Sequence, residues 1–298
     1  MFFYGDWFIN PDFYVHLQIK MKNVRRFLNF ILLLLVCMAV QSQEVTLSSG
    51  GKKSRPKVAL VLGGGGAKGA AEVGVLKYIE QSGVPIDMVV GTSIGSIVGG
   101  LYAVGYRSAE LDSMFRQQDW LKMGMGSLMG DSIVRVLRGM ADEYGEVDFD
   151  CLPIPFRCVA VDMKSMKEVV LRQGDLSQAM RASMAIPLVF KPVKIGDMRL
   201  VDGGVLNNLP VDVAKDMGAD IVIAVDLTVN KHVDSTPLFR PDLKKYRQNV
   251  EAADIYINPH LKGYGAHSFN KIGEMILIGE EAGKKALKDL KKLKKKLK

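Results

Sequence analysis

The strongest constraint on the fold is the stretch 89–96, Val-Val-Gly-Thr-Ser-Ile-Gly-Ser, in which one serine lies between two glycines. An apolar run precedes Gly91, and a helix-like run follows at residues 97–104. This order of strand, tight turn and helix is typical of a G-x-S-x-G nucleophile elbow. The turn would place Ser93 at a helix amino terminus, where unpaired N–H groups favour developing negative charge. Because glycine-rich turns before helices are common, the motif alone leaves a purely structural role equally open.

A second glycine-rich turn lies upstream of this serine. Residues 58–62 form a short apolar run that predicts a buried strand, and residues 63–69 read Gly-Gly-Gly-Gly-Ala-Lys-Gly. The pattern then predicts a helix over 70–81 and a strand over 86–90. A strand, a helix and a second strand in this order form the unit of a parallel sheet. The sequence therefore predicts an α/β fold.

The glycine run permits more than one function. Gly64, Gly66 and Gly69 match the spacing of a dinucleotide-binding turn. That motif expects an acidic residue at the end of the second strand, whereas Asp87 lies near its start. A P-loop is disfavoured because Lys68 is followed by glycine instead of serine or threonine. Bare glycine amides can instead point at an oxyanion, which would suit a serine nucleophile. An ordinary tight turn is the third possibility.

The rest of the chain continues the α/β pattern. The pattern predicts a helix over 101–118 that is interrupted near Gly105. The apolar residues around Cys158 indicate a buried thiol instead of a disulfide. Residues 121–140, rich in methionine and glycine, suit a lid or an acyl-chain entry, or equally an ordinary packing segment. The further predicted elements are strands over 156–162 and 168–172, a helix over 176–184, a hairpin of 193–195 with 199–201, a helix over 210–217, and strands over 221–225 and 254–257.

A serine nucleophile needs a base, and two kinds are available. Asp202 follows an apolar pair at a predicted strand end, and the next two glycines allow another backbone to come close. A carboxylate with an ordinary pKa of about 3.9 is a weak base unless its site is desolvated. His260 or His267 would instead complete the chain order serine, aspartate, histidine of an α/β-hydrolase, although no neighbouring residues single out either histidine. Sequence reasoning leaves both arrangements open.

Three motifs in this order and rough spacing resemble those of the patatin-like phospholipases. They are Gly64-Gly65-Gly66-Ala67-Lys68-Gly69, Gly91-Thr92-Ser93-Ile94-Gly95 and Asp202-Gly203-Gly204. The segments Arg-Ala-Ser-Met-Ala-Ile-Pro at 181–187 and Asn-Leu-Pro-Val at 208–211 add to the resemblance, which covers about residues 57–229. It implies a three-layer α/β/α sandwich with a mostly parallel central sheet.

The resemblance also implies a function and a set of site residues. Ser93 would be the nucleophile of a dyad without histidine, and Asp202 would be its base. The oxyanion would be held by backbone N–H groups of Gly64, Gly65 and Gly66, together with that of Ile94. Lys68 takes the basic position of the glycine motif, and the motifs are supported by Gly69, Gly91, Gly95, Gly203 and Gly204. The implied activity is hydrolysis of acyl esters of phospholipids or lysophospholipids, with no metal or organic cofactor.

The amino-terminal region indicates export. Basic residues Lys22, Arg25 and Arg26 precede an apolar run at 27–36, and small or polar residues follow at 39–42. This order predicts a signal peptide that starts at Met21 and is cleaved near Ser42, with an uncleaved anchor as the alternative. We therefore expect an enzyme in the periplasm or on the outer-membrane surface. The predicted organisation is an upstream extension with signal peptide at 1–42, a linker at 43–57, a catalytic domain at 58–270 and a helix at 271–298.

The carboxyl terminus carries almost all of the net charge. Residues 284–298 contain nine lysines and one aspartate, whereas the whole chain has a net charge of +8. The remainder is therefore neutral overall, which gives no argument for nucleic-acid binding. Leucines recur at three- and four-residue spacing, at positions 287, 290, 293 and 297, as on an amphipathic helix. Such a helix either binds an anionic membrane surface or docks on its own domain. The oligomeric state is not indicated.

Overall fold

Residues 55–117, 135–139, 144–228 and 243–297 are described by a computed structural model of the chain. All of them belong to one compact unit that spans residues 53–298. The predicted signal peptide, most of the linker and most of the methionine- and glycine-rich segment lie outside the described residues. Those interpretations therefore stay predictions.

Ten strands are present in the described part of the chain. In chain order they are β1 Val58–Leu62, β2 Met88–Thr92, β3 Glu146–Asp148, β4 Phe156–Asp162, β5 Lys167–Leu171, β6 Gln173–Asp175, β7 Val193–Ile195, β8 Met198–Asp202, β9 Ile221–Val225 and β10 Ile255–Ile257. The central sheet has the order β10-β9-β1-β2-β4-β8-β7, and β5 pairs with β4. The strands from β10 to β4 are parallel to one another, whereas β5, β7 and β8 pair antiparallel. Strands β3 and β6 form a separate antiparallel pair.

Helices cover both faces of this sheet. In chain order they are α1 Ala70–Ser82, α2 Ile94–Ala103, α3 Ser108–Gln117, α4 Leu176–Ser183, α5 Val211–Asp216, α6 Leu243–Ala252 and α7 Ile272–Lys296, and a 3-10 turn at Gly66–Gly69 precedes α1. One buried apolar cluster contains residues of α1 to α4 and α7, and a second contains residues of α5 and α6. The two clusters use alternate residues of β1, because successive side chains of a strand point to opposite faces. The predicted three-layer α/β/α fold is confirmed.

Most predicted elements form with boundaries shifted by one or two residues. Strand β2 begins at Met88, two residues later than predicted. The Asp87 carboxylate before it accepts hydrogen bonds from the Val58 N–H and the Arg55 guanidinium. The predicted interruption near Gly105 is confirmed, because α2 ends and α3 begins on either side of this residue, which has a φ of 110°. Neither Cys151 nor Cys158 forms a disulfide, and Cys158 is buried as predicted. Helix α6 and the β3–β6 pair were not predicted.

The lysine-rich carboxyl-terminal helix docks on the domain. Of the leucines in its apolar stripe, Leu290, Leu293 and Leu297 are buried and Leu287 is half-buried. Gly279 approaches the α1 backbone so closely that a Cβ atom there would overlap the Ala71 carbonyl. Of the two roles left open by the sequence, the structure therefore shows the docked helix, and the stripe is not free to enter a lipid surface. No helix within the described ranges combines the length and apolar character needed to span a membrane.

Candidate active site

The site lies where two strands meet end to end along one edge of β4. Gly91 and Thr92 of β2 pair with Cys158 and Val159, running parallel to β4. The next residue of β4, Ala160, pairs with Asp202 at the end of antiparallel β8. The carboxyl ends of β2 and β8 therefore point at each other across one register step. This arrangement brings Ser93 to Asp202 although 109 positions separate them in sequence.

Ser93 occupies a strained turn between β2 and α2. Its backbone has φ 56° and ψ −125°. Residues other than glycine rarely adopt this conformation, which costs on the order of 1–3 kcal/mol. A Cβ atom at Gly91 would overlap the Gly95 carbonyl, and one at Gly95 would overlap the Leu62 carbonyl. Only glycine fits at these two positions, as the elbow motif predicts. The tight turn directs the serine side chain from the end of β2 toward Asp202.

The hydroxyl of Ser93 donates a hydrogen bond to Asp202, with 2.6 Å between Oγ and Oδ2. Both residues are buried, and the second carboxylate oxygen, Oδ1, accepts the N–H of Gly204 at 2.8 Å. Burial raises the pKa of the Asp202 carboxyl to about 6, although the hydrogen bonds from Ser93 and Gly204 act in the opposite direction. This environment supplies the desolvation that a carboxylate needs to act as a base near neutral pH. A Cβ atom at Gly203 would overlap the Val159 carbonyl, which explains the glycine after Asp202.

The glycine loop lies directly beside the serine. A Cβ atom built on Gly64 would lie 3.1 Å from the Ser93 Cβ. The Gly64 N–H donates to the Asn208 carbonyl at 3.1 Å, so it is already engaged and unavailable as an oxyanion donor. The N–H groups of Gly65 and Gly66 donate to no acceptor among the described residues. Together with the first N–H of α2, that of Ile94, they are the donors left for an oxyanion.

Three residues that the sequence analysis did not assign to the site hold it together. The Ser183 hydroxyl accepts the Ser93 N–H at 3.0 Å and donates to the Val159 carbonyl at 2.6 Å. Asn208 holds the glycine loop from two sides, because its carbonyl accepts the Gly64 N–H and its Nδ2 donates to the Gly64 carbonyl at 3.1 Å. Thr92 donates through Oγ1 to the Asn207 carbonyl at 2.9 Å. Ser183 and Asn208 lie in segments noted for the resemblance, but the residue pattern gives no sign of these bonds.

The supporting motif residues have structural roles. Lys68 donates through Nζ to the Leu227 carbonyl at 2.9 Å, which connects the glycine turn to the segment after β9. Gly69 lets the 3-10 turn approach α2, since a Cβ atom there would overlap the Ile94 side chain. Both residues fix the turn from which the Gly65 and Gly66 N–H groups emerge.

The histidine-dependent and nucleotide-binding alternatives lose support from this geometry. Neither His260 nor His267 makes a hydrogen bond to Ser93 or Asp202 in the described part of the chain. His260 instead lines a groove of about 430 Å³ between β10 and α7. The Gly64 side of the loop faces Asn208 and Ser93, where a dinucleotide-binding turn would face a pyrophosphate. No group of three or more histidine, cysteine, aspartate or glutamate residues in the described ranges is arranged to hold a metal ion.

Comparison with known proteins finds one matching family model and several similar sequences. The family model described as "Patatin-like phospholipase" matches residues 60–215. The chain is 30% identical over 283 residues to "Lysophospholipase nte1" of Aspergillus fumigatus, an alignment that covers 78% of this chain and 18% of that protein. It is 38% identical over 198 residues to "Patatin-like phospholipase domain-containing protein 6" of Mus musculus, covering 59% of this chain and 14% of the mouse protein. The chain thus spans under a fifth of the length of these two relatives.

A solved structure shares the fold. The crystal structure of VipD from Legionella pneumophila superimposes with a TM-score of 0.52 and 13% sequence identity, and it covers 84% of this chain and 72% of VipD. At this identity the likeness concerns the fold alone. It agrees with the mostly parallel sheet between two helical layers described above.

Proposed function

Because this chain belongs to the patatin-like phospholipase family, we propose that it hydrolyses fatty-acyl esters of phospholipids or lysophospholipids through Ser93 and Asp202. The observation that supports the proposal most directly is the 2.6 Å hydrogen bond between the two buried side chains. The unengaged N–H groups of the glycine loop support it further. The names of the relatives, a lysophospholipase and a phospholipase domain-containing protein, suggest the substrate class.

The proposed reaction uses the groups in order. The Ser93 Oγ attacks the ester carbonyl carbon, and its proton passes to Oδ2 of Asp202. The carbonyl oxygen becomes an oxyanion that accepts the N–H groups of Gly65, Gly66 and Ile94. The bond to the alcohol then breaks, and Asp202 returns the proton to the departing alkoxide. A water molecule deprotonated by Asp202 attacks the acyl-enzyme, which releases the fatty acid and restores the serine.

Substitution of the two residues tests this proposal. We expect Ser93→Ala and Asp202→Asn each to lower kcat for lysophosphatidylcholine hydrolysis by at least about a thousandfold, because each removes one partner of the proton transfer. Ser93→Ala should also abolish labelling by a fluorophosphonate probe. Ser113→Ala and Asp216→Asn, which alter exposed residues of the same types, are the matched controls. Full activity of Asp202→Asn in a folded protein would contradict the dyad.

We also propose, from the sequence pattern of residues 21–42, that the enzyme is exported to the periplasm or the outer-membrane surface. Amino-terminal sequencing of protein purified from the native host tests this. The expected first residue lies close to position 43, and a mature protein that retains Met21 would contradict a cleaved signal peptide.

A further inference from the structure

Two backbone segments beside the site carry exposed apolar and basic side chains together. They are residues 163–167, which turn from β4 into β5, and residues 188–199, which lead into and through the β7–β8 hairpin. We call these two segments the rim. Four apolar side chains of the rim are largely exposed: Met163, Met166, Leu188 and Val189. Scattered exposed apolar residues are ordinary, but four of them on two adjoining segments are a local concentration.

The two rim segments are joined to each other and project past the site. The Met163 N–H donates to the Arg199 carbonyl at 2.8 Å, and Asp162 accepts the Arg199 N–H at 3.0 Å. Strand β8 runs from Met198 to Asp202. At about 3.3 Å per residue, the turn that joins β7 to β8 therefore lies roughly 13 Å from the dyad. The second rim segment begins three residues after Ala185, whose carbonyl accepts the Asp202 N–H. The rim therefore lies beyond the carboxyl ends of β2 and β4, on the side of the sheet where Ser93 lies.

Two residues of the rim have a backbone conformation that is unfavourable for residues other than glycine. In the described ranges, only three residues other than glycine have positive φ: Ser93, Met166 and Leu188. Met166 and Leu188, at φ 53° and 67°, are 62% and 86% exposed, so burial does not compensate for the unfavourable backbone. Glycine or asparagine would suit both turns better. Backbone strain clusters at functional sites, so these two exposed apolar positions are candidates for a role in binding.

The charge of the rim indicates which apolar partner it fits. The two segments contain five basic residues and one acidic residue, Asp197. All five bases are exposed: Lys164, Lys167, Lys191, Lys194 and Arg199. Apolar tips surrounded by lysine and arginine match an anionic bilayer, in which the tips enter the acyl boundary and the cations meet lipid phosphates. An acidic protein surface would match the cations but would gain little from exposed methionine and leucine tips.

The lysine-rich end of α7 lies at the opposite edge of the sheet. Its Lys294 side chain approaches Gly83, with 4.0 Å between the lysine Cε and a Cβ atom built on that glycine. Gly83 ends α1 and precedes β2, so it marks the amino edge of the parallel strands. Ser93 follows the carboxyl edge. A bilayer that contacts these lysines would therefore face the side of the sheet remote from the site.

We propose that the rim is the surface with which this protein docks on anionic lipid bilayers, and that the lysines of α7 are not. The proposal rests on the proposed function, because it assumes that the site draws a lipid substrate from the bilayer the rim contacts. Docking through the rim would turn the Ser93 side of the sheet toward the headgroup region. An acyl ester could then reach the serine without crossing water.

Vesicle binding with matched charge variants tests this. The rim variant carries Lys167→Gln, Lys191→Gln and Lys194→Gln, and the tail variant carries Lys291→Gln, Lys292→Gln and Lys295→Gln, so both lose three exposed positive charges. Binding is measured by co-sedimentation with vesicles of ether-linked phosphatidylglycerol and phosphatidylcholine, which contain no acyl ester. We expect the rim variant to bind at least about tenfold more weakly than the unaltered protein, and the tail variant to bind within about twofold of it.

A second variant tests the apolar tips. Met166→Asn and Leu188→Asn place a residue that tolerates positive φ at both strained turns, so the fold should keep its thermal unfolding midpoint. We expect this protein also to lose vesicle binding by about tenfold or more. Equal losses in the rim and tail charge variants, or no binding by the unaltered protein, would overturn the proposal. Self-association that the asparagine variant abolishes, in the absence of vesicle binding, would assign the rim to an interface between copies and also overturn it.

The design separates this proposal from the proposed function. Ether lipids report docking without catalysis, and hydrolysis of a soluble short-chain ester by the unaltered protein reports catalysis without docking. Rim-dependent binding without ester hydrolysis would support the docking surface and contradict the hydrolase. Hydrolysis without rim-dependent binding would support the hydrolase and contradict the docking surface.

Discussion

Asp202 is a buried carboxyl whose hydrogen bonds and burial act on its pKa in opposite directions. Its two oxygens hold the Ser93 hydroxyl and the Gly204 N–H, so its position is fixed by the neighbours that lower its pKa. Burial outweighs them and raises that pKa to about 6. Sequence reasoning could place this aspartate at a strand end beside a glycine turn. It could not supply the burial, which depends on packing between segments far apart in the chain.

The raised pKa predicts the pH dependence of hydrolysis. Only ionised Asp202 can accept the serine proton, so activity should be low below the pKa and rise as the pH passes through it. We expect kcat/KM for a soluble ester to rise with an apparent pKa near 6, instead of near the ordinary value of about 4 for aspartate. The profile is measured under conditions where the unfolding midpoint shows the protein to be folded. A plateau already reached at pH 5 would contradict a buried base.

Glu72 predicts a pH effect on stability. This first-turn residue of α1 is fully buried, its carboxyl oxygens have no hydrogen-bond partner among the described residues, and the nearby Gly63 N–H already donates to the Val225 carbonyl at 3.0 Å. Burial raises the pKa of Glu72 well above its ordinary value, and the neighbouring Asp226 raises it further. Folding therefore takes up a proton at pH values between the ordinary pKa of the unfolded glutamate and the raised pKa of the folded one. Stability from this group is greatest below the unfolded pKa and declines as the pH rises above it.

Replacing Glu72 by glutamine should remove this penalty. The two proteins should have similar unfolding free energies near pH 4, and the variant should be more stable at pH 8 by on the order of 1 kcal/mol. Urea unfolding at several pH values provides the measurement. Glu251→Gln, a substitution at an exposed position of α6, is the control and should show no such trend. A variant that is less stable than the unaltered protein at pH 8 would indicate a charged Glu72.

At the scale of elements, local sequence patterns predicted the strands and helices but not how the strands pair. Apolar runs and glycine turns identified the strands and helices of the central sheet within one or two residues. The pattern could not show that β8 continues the line of β2 along β4, because pairing depends on side chains from distant parts of the chain. It missed α6 as well, a helix in which only Tyr246 and Asn249 are buried. The apolar stripe of α7 was visible, but its partner was not.

The α1–α7 contact predicts a large effect from a single methyl group. Gly279 of α7 meets the Ala71 backbone, and a Cβ atom there has no flexible group to displace. We expect Gly279→Ala to destabilise the protein by about 1–3 kcal/mol, the usual cost of overpacking. Gly273→Ala on the same helix would meet only the Arg116 guanidinium, 2.9 Å away, which can move. That control should be neutral or slightly stabilising, because alanine favours helices over glycine. Denaturant unfolding of both variants measures the difference, and equal losses would argue against a backbone clash.

At the scale of the whole molecule, the carboxyl-terminal helix connects the two edges of the sheet. It begins after the segment in which the Ala266 carbonyl accepts the Ala67 N–H, beside the glycine turn. It ends beside Gly83 at the opposite edge. Its amphipathic sequence left membrane binding and docking equally open, because a stripe of leucines between lysines satisfies either environment. Only the packing of the stripe against the domain distinguishes the two.

Truncation of α7 separates the role of its leucines from that of its lysines. Removal of residues 287–298 takes away Leu290, Leu293 and Leu297, and each buried leucine contributes roughly 1.5–3 kcal/mol. The summed loss approaches the whole stability of a typical domain, so we expect the truncated protein to be largely unfolded at room temperature. The control with Lys291→Gln, Lys292→Gln and Lys295→Gln keeps the leucines and should unfold within a few degrees of the unaltered protein. Circular dichroism during thermal unfolding measures both. A truncated protein that unfolds at the original temperature would mean that the stripe does not support the domain and is available for another surface.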